Sequence, residues 1–143
     1  MTSKVPSATP WHLWLIGGVL LLYALLAAYD NAMTLSRGEA YMRSSGMTGS
    51  QLEYFTGLPL WVQIASILSI WVGLLGAILL LARRSAATVA LLIAAVATSV
   101  TCAHHYTNDA GIEAMGVMWL MPAIIAVAFL GASYYAYRQR RPW

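Results

Sequence analysis

The residues best equipped for chemistry are His104, His105, Asp109 and Glu113, which fall together in "TCAHHYTNDAGIEAMG", and Asp30 in "AAYDNAM". Imidazoles beside carboxylates can ligate a metal, hand on protons or hydrogen-bond a quinone head group. Spacing narrows the choice. Neighbouring residues on a helix point roughly 100 degrees apart, so at most one of His104 and His105 faces a common centre. His105 and Asp109 are four apart, but "TNDAG" is turn chemistry and is expected to end the helix before that register matters. A single cysteine, Cys102, allows no internal disulfide and adds too little for a zinc site of the usual spacings. No metal site is predicted; the plainest reading is a hydrated turn between two helices.

Asp30 is the sharper case. A carboxylate this close to an apolar run needs a partner, and Arg37, Arg43 or one of the histidines could supply it. The chain holds no GxSxG, P-loop, HExxH or CxxCH pattern, so no enzyme is predicted.

The elements that must position these residues are set by composition. The chain has 143 residues, 60% of them hydrophobic and 9% charged, against roughly 45–50% and 25% in soluble domains. Apolar runs at about 11–29, 58–82, 86–103 and 115–137 are each near the ~17–25 residues a helix needs to cross a bilayer. None alternates as a barrel strand would. The expectation is an all-α polytopic membrane protein of four transmembrane helices forming one domain over 1–143. The first run is long for a secretory signal and is read as a retained helix. Pro122 in "WLMPAII" is expected to kink the fourth helix.

Charge gives the orientation. Lys4, Arg83, Arg84, Arg138, Arg140 and Arg141 flank one side, whereas only Arg37 and Arg43 share the other connections with all five acids. The positive-inside rule therefore places both termini in the cytoplasm of a bacterial inner membrane and the acidic connections in the periplasm. This distribution explains the net charge of +3 without nucleic acid, for which no basic groove with stacking aromatics is present. Trp11, His12, Trp14, Tyr134, Tyr135, Tyr137 and Trp143 read as interfacial anchors, with His12 simply solvated.

Residues 34–57 read as a periplasmic lid of two short amphipathic helices. Leu35, Tyr41 and Met42 can share a face of the first. Thr48 and Gln51 stand in capping-box spacing at the start of the second, with Leu52 and Phe55 on its apolar side. Within the second span Gln63, Ser66, Ser69, Gly73 and Gly76 make a small and polar stripe, suited to helix packing or, less simply, to a solute path. The Ala- and Thr-rich third span reads as the most enclosed helix.

The stretches "YDNAMT", "RGEAYM", "QLEYFTGLPLWV" and "SIWVGLLGAILLLARR" carry a resemblance. They resemble a family of small four-helix inner-membrane proteins of sphingomonads and related bacteria, often labelled sugar transporters. The positions carrying it are Asp30, Tyr41, Tyr54, Phe55, Pro59, Trp61, Trp71 and Gly76; the last two helices match only in character. The resemblance implies solute transport. The residues themselves point first to a non-catalytic accessory or assembly subunit of a larger membrane complex, respiratory or photosynthetic. The alternative is a homo-oligomeric small-solute or sugar permease with Gln63, Ser66 and Ser69 lining its path and Asp30 at its mouth. The bilayer and other membrane subunits, or further copies of the chain, are the expected partners. No cofactor is predicted, bound lipid is expected, and a quinone or pigment contact is compatible with the helices.

Overall fold

The computed structural model describes residues 9–139; the basic Lys4, Arg140 and Arg141 and the expected anchor Trp143 lie outside it. Among the described residues the chain is all-α. The helices are α1 (Trp11–Arg37), α2 (Glu39–Ser44), α3 (Gly49–Thr56), α4 (Leu60–Leu81), α5 (Ala87–Tyr106), α6 (Asp109–Met115) and, after a 3-10 turn at Gly116–Met118, α7 (Met121–Gln139). α1, α4 and α5 are each long and apolar enough to cross a membrane, and α6 with α7 makes a fourth candidate span.

Two boundaries differ from the apolar runs. α1 continues through "DNAMTLSR" for 27 residues, until Gly38 takes φ +55 and turns the chain. A backbone hydrogen-bond ladder does not stop where hydropathy falls; it stops where a residue tolerates the left-handed region, as glycine does. The short helices between the first two spans are therefore α2 and α3, starting after Gly38 rather than at Thr34. Leu35 belongs to α1 and is exposed, instead of sharing a face with Tyr41 and Met42.

The fourth span differs more. The apolar run from Met115 is bent by 77° between the α6 segment and α7, with Gly116 at φ +51. Pro122 is the second residue of α7 and opens that helix rather than kinking it. In a first turn the missing proline N–H has no intrahelical acceptor to lose.

α5 lies at the centre. It packs against α4 on one side and α7 on the other, and α1 packs against α4. It is also the most enclosed span, with 44% of its apolar window buried against 28% for α1 and α4. Its buried positions Ala87, Ala90, Leu91, Ala94, Ala95, Ala97, Thr98 and Thr101 are mostly small, so backbones approach closely. The α4 stripe meets it by the same logic. A Cβ at Gly76 would stand 2.8 Å from the Leu91 side chain, and one at Gly73 would stand 2.6 Å from the Phe129 ring. Ser69 and Thr98 share a buried hydrogen bond.

The α4–α5 connection closes as a Schellman turn. The Arg84 amide donates to Leu79 O at 2.9 Å and the Arg83 amide to Leu80 O at 3.0 Å, with Arg83 at φ 58. This turn marks the arginine end of the bundle; α2, α3 and α6 mark the opposite, lid end.

At the lid end α3 starts with the capping box its sequence spells. The Gln51 amide donates to Thr48 Oγ1 at 3.3 Å and the Thr48 amide to Gln51 Oε1 at 2.9 Å. Thr48→Ala is expected to cost α3 about 1 kcal/mol, seen as faster hydrogen exchange at the Gln51 amide. Unchanged exchange there would remove the cap from the account.

Candidate functional site

Two helix ends and the lid meet around α5's last turn. His104 and His105 diverge, as neighbours on a helix must. His104 turns toward α4, where its ring meets the edge of Trp61 at 5.3 Å. His105 is buried and turns under the lid, its Nδ1 sharing a 2.8 Å hydrogen bond with the Tyr54 hydroxyl. Phe55 closes over the same imidazole at 6.2 Å, and Tyr54 and Phe55 pack edge-on at 5.3 Å. Which of the Tyr54–His105 pair donates follows from the imidazole tautomer.

α6 forms the other wall. α5 ends at Tyr106, and Thr107 and Asn108 fold back on its free carbonyls: Thr107 Oγ1 donates to Ala103 O at 2.9 Å and Asn108 Nδ2 to His104 O at 2.7 Å. The chain then enters α6, so the segment is not a bare turn but a short helix laid against the lid. Gly111 sits so close that a Cβ there would be 2.4 Å from His105 O and 2.7 Å from Tyr54 Oη. Gln51, already in the capping box, also donates from Nε2 to Ala114 O at 2.8 Å. Between α3 and α6 a hollow of about 310 Å³ is lined by Ser50, Glu53, Tyr54, Ala110, Glu113 and Ala114.

Asp30 is exposed and accepts from the Tyr41 hydroxyl at 2.9 Å. The expected partners are corrected accordingly. Arg43 lies 3.6 Å from Glu39 on its own helix, Arg37 makes no ion pair with Asp30 among the described residues, and neither histidine reaches Asp30. The physical reason is the extra length of α1, which carries Asp30 along a helix while α2 folds back beside it and presents Tyr41. Next to Asp30, Asn31 Oδ1 accepts from Trp71 Nε1 at 3.0 Å, tying α1 to α4. Asp109 is exposed at the start of α6 and makes no ion pair with His105 among the described residues. Among the described residues no three His, Cys, Asp or Glu side chains converge as metal ligands.

Both lid phenols outside the spans are held protonated. Donation to the Asp30 carboxylate raises the Tyr41 pKa, and burial raises that of Tyr54. At neutral pH each is therefore a hydroxyl available for hydrogen bonding, and the pair can clamp the lid without charge.

The other resemblance-bearing positions also work structurally. Pro59 is the N-cap of α4, Trp61 meets His104, Trp71 meets Asn31, and Gly76 receives Leu91. The stripe does not hold together as one lining. Gln63 is exposed and its amide returns to Leu58 O at 2.8 Å, Ser66 is half-buried, and Ser69, Gly73 and Gly76 are buried in helix contacts. His12, expected to be solvated, is half-buried and hydrogen-bonded through Nδ1 to the Tyr135 hydroxyl. What sequence reasoning missed is the Tyr54–His105 pair with Gly111 behind it, and a cleft between α1 and α7. The aromatic pair "YF" on the apolar side of α3 was the available signal for the first.

The class defined by these features is an all-helical bundle with apolar candidate membrane spans, capped at one end by short helices clamped through Tyr54–His105. Comparison of the sequence with models of known families and with curated proteins, and of the fold with solved structures, finds no match.

Proposed function

We propose that the chain is a non-catalytic integral membrane protein acting as a small accessory or assembly subunit of a larger bacterial inner-membrane complex. The observation that carries this reading is where the polar and small residues of α4 go. Ser69 bonds Thr98, Gly73 receives Phe129, Gly76 receives Leu91, and Gln63 satisfies its own helix start. Of the groups that could line a solute path, Ser69 is used in holding the bundle and Gln63 is bonded within its own segment. The outward faces carry large apolar side chains, among them Leu22, Leu26, Leu75, Val96 and Val127, surfaces suited to lipid and neighbouring subunits. In this reading both termini face the cytoplasm, α2, α3 and α6 face the periplasm, and the histidines are structural.

The transporter that the family resemblance implies draws less support, since its path would run through Gln63, Ser66 and Ser69. Purification from native membranes in mild detergent separates the two. Stable co-purification with a larger redox or pigment complex is expected, and a homo-oligomer alone would count against the subunit. Uptake into proteoliposomes that is lost in Gln63→Leu or Asp30→Asn would establish transport instead.

A further inference from the structure

α1 and α7 line one cleft, and their backbones make little direct contact. Their side chains meet at His12 with Tyr135 near the arginine end and at Tyr23, edge-on to Phe129 at 6.3 Å. Between them lies a cleft of about 550 Å³, within the ~300–1,000 Å³ of small-molecule sites. Leu15, Ile16 and Val19 form one wall, Ile124 and Ala128 the other, and Phe129 the floor. Apart from the Tyr23 and Tyr135 hydroxyls and the weakly accepting Met121 thioether, the lining is hydrocarbon. On α7 the wall is hollowed at Gly131, where an added Cβ would meet nothing within 4 Å.

We propose that this cleft binds an anionic glycerophospholipid, with one acyl chain between α1 and α7 and the phosphate on Arg138. The inference rests on the reading of these helices as membrane spans. A lining of hydrocarbon calls for a hydrocarbon occupant. A partner helix is a poor fit, because helices associate in lipid through close backbone approach and interhelical hydrogen bonds. Here the branched wall of α1 holds a body about 10–12 Å across at a distance and offers it no bond.

Charge identifies the head group. The cleft ends at Tyr135, and Arg138 stands one turn further along the same face of α7. Its Nη1 donates to the Tyr134 hydroxyl at 3.2 Å, its guanidinium lies 5.9 Å from that ring, and it meets no carboxylate among the described residues. All five acids belong to the lid end: Asp30 late in α1, Glu39 in α2, Glu53 in α3, and Asp109 and Glu113 in α6. The arginine end, where Arg83 Nη1 is engaged with Thr9 Oγ1 at 3.0 Å and Arg138 meets no described carboxylate, is thus complementary to a phosphodiester through Arg138.

The test uses the full chain purified in mild detergent, with its extracted lipids measured by mass spectrometry. Phosphatidylglycerol retained in stoichiometric amount through extended washing is expected. So is a rise in the thermal midpoint of delipidated protein on adding phosphatidylglycerol but not phosphatidylethanolamine. Arg138→Gln should weaken phosphatidylglycerol binding about fivefold. Gly131→Leu, which fills the cleft from an exposed position, should abolish retention while circular dichroism stays helical. Val127→Leu, on the outward face, should leave binding unchanged. Equal binding of both lipids, or wild-type retention in both cleft variants, would overturn the proposal, since the lipid would then be an unselective annulus. A homodimer broken by Gly131→Leu with lipid content unchanged would overturn it too. A partner complex retained without bound lipid sinks this inference alone, whereas bound phosphatidylglycerol without a partner complex sinks only the subunit reading.

Discussion

Phe129→Ala is expected to lower the unfolding free energy by about 2–3 kcal/mol, below the ~3–5 kcal/mol typical of water-soluble cores. Phe129 is 2% exposed, its ring stands against Gly73 of α4, and it meets Tyr23 of α1 edge-on. One α7 side chain thus contacts two other helices across the middle of the bundle. Truncating it leaves a void where the ring meets Gly73 and deepens the floor of the α1–α7 cleft. The reduction below the soluble figure has a definite cause. In lipid the unfolded reference also surrounds the ring with hydrocarbon, so the transfer term falls away and the lost packing remains. Equilibrium unfolding in mixed detergent–SDS micelles, followed by far-ultraviolet circular dichroism, reads the loss. A change under about 0.5 kcal/mol, the size of an ordinary surface substitution, would show that α7 is held by α5 alone. Gly73→Ala approaches the same contact from the other side and should cost about 1–3 kcal/mol by overpacking. Because the two residues touch, the double variant should not be additive.

Gly111→Ala should act locally and sharply. The new methyl would stand 2.4 Å from His105 O, a backbone atom that cannot rotate away, and 2.7 Å from Tyr54 Oη. α6 must shift, at about 1–3 kcal/mol, and the shift breaks the Tyr54–His105 bond. The expected signature is faster hydrogen exchange and proteolysis across residues 38–57, with the unfolding of α4 and α5 little changed. Tyr54→Phe keeps the ring packed and removes the hydroxyl, leaving a buried imidazole nitrogen without its partner, so the lid should loosen by a smaller amount.

A pH arm follows from the Tyr54 phenol. Its pKa in the folded protein lies above the ordinary 10.0 because burial disfavours the phenolate. Its contribution to lid stability is therefore fully present below pH 10 and is lost as pH rises through the raised folded value. The ultraviolet difference titration of wild type against Tyr54→Phe should show one tyrosine ionising late. In Gly111→Ala that titration should move back toward the ordinary value. Lid exchange unaffected by Gly111→Ala would mean that the Tyr54–His105 contact does not hold α3 down.

Several elements were legible because their signals are local. The apolar runs of α4 and α5 match their helices within a few residues, and Thr48 with Gln51 forms the box their spacing spells. Divergence of His104 and His105 is a property of any helix. The ends of α1 and α7 were not legible from hydropathy. "DNAMTLSR" is polar yet helical, and the apolar run at Met115 conceals a bend at Gly116. Backbone dihedrals end helices, and glycine reaches a positive φ at no steric cost, so whether a given glycine turns the chain depends on where the flanking segments pack.

The candidate site divides in the same way. Charge and apolar patterning in the sequence alone marked the apolar runs, grouped the acids at one end of the bundle and placed both histidines at one helix end, because periodicity and polarity act within a few residues. Which partners those residues take was decided by tertiary structure. His105 finds Tyr54, Asp30 finds Tyr41, His12 finds Tyr135 and Gly73 finds Phe129 across separations of 51, 11, 123 and 56 residues respectively. Such contacts depend on how α2 and α3 fold back and on the order in which α1, α4, α5 and α7 pack. That order follows from which small residues let two backbones approach, a property of pairs of helices that neither sequence segment carries by itself.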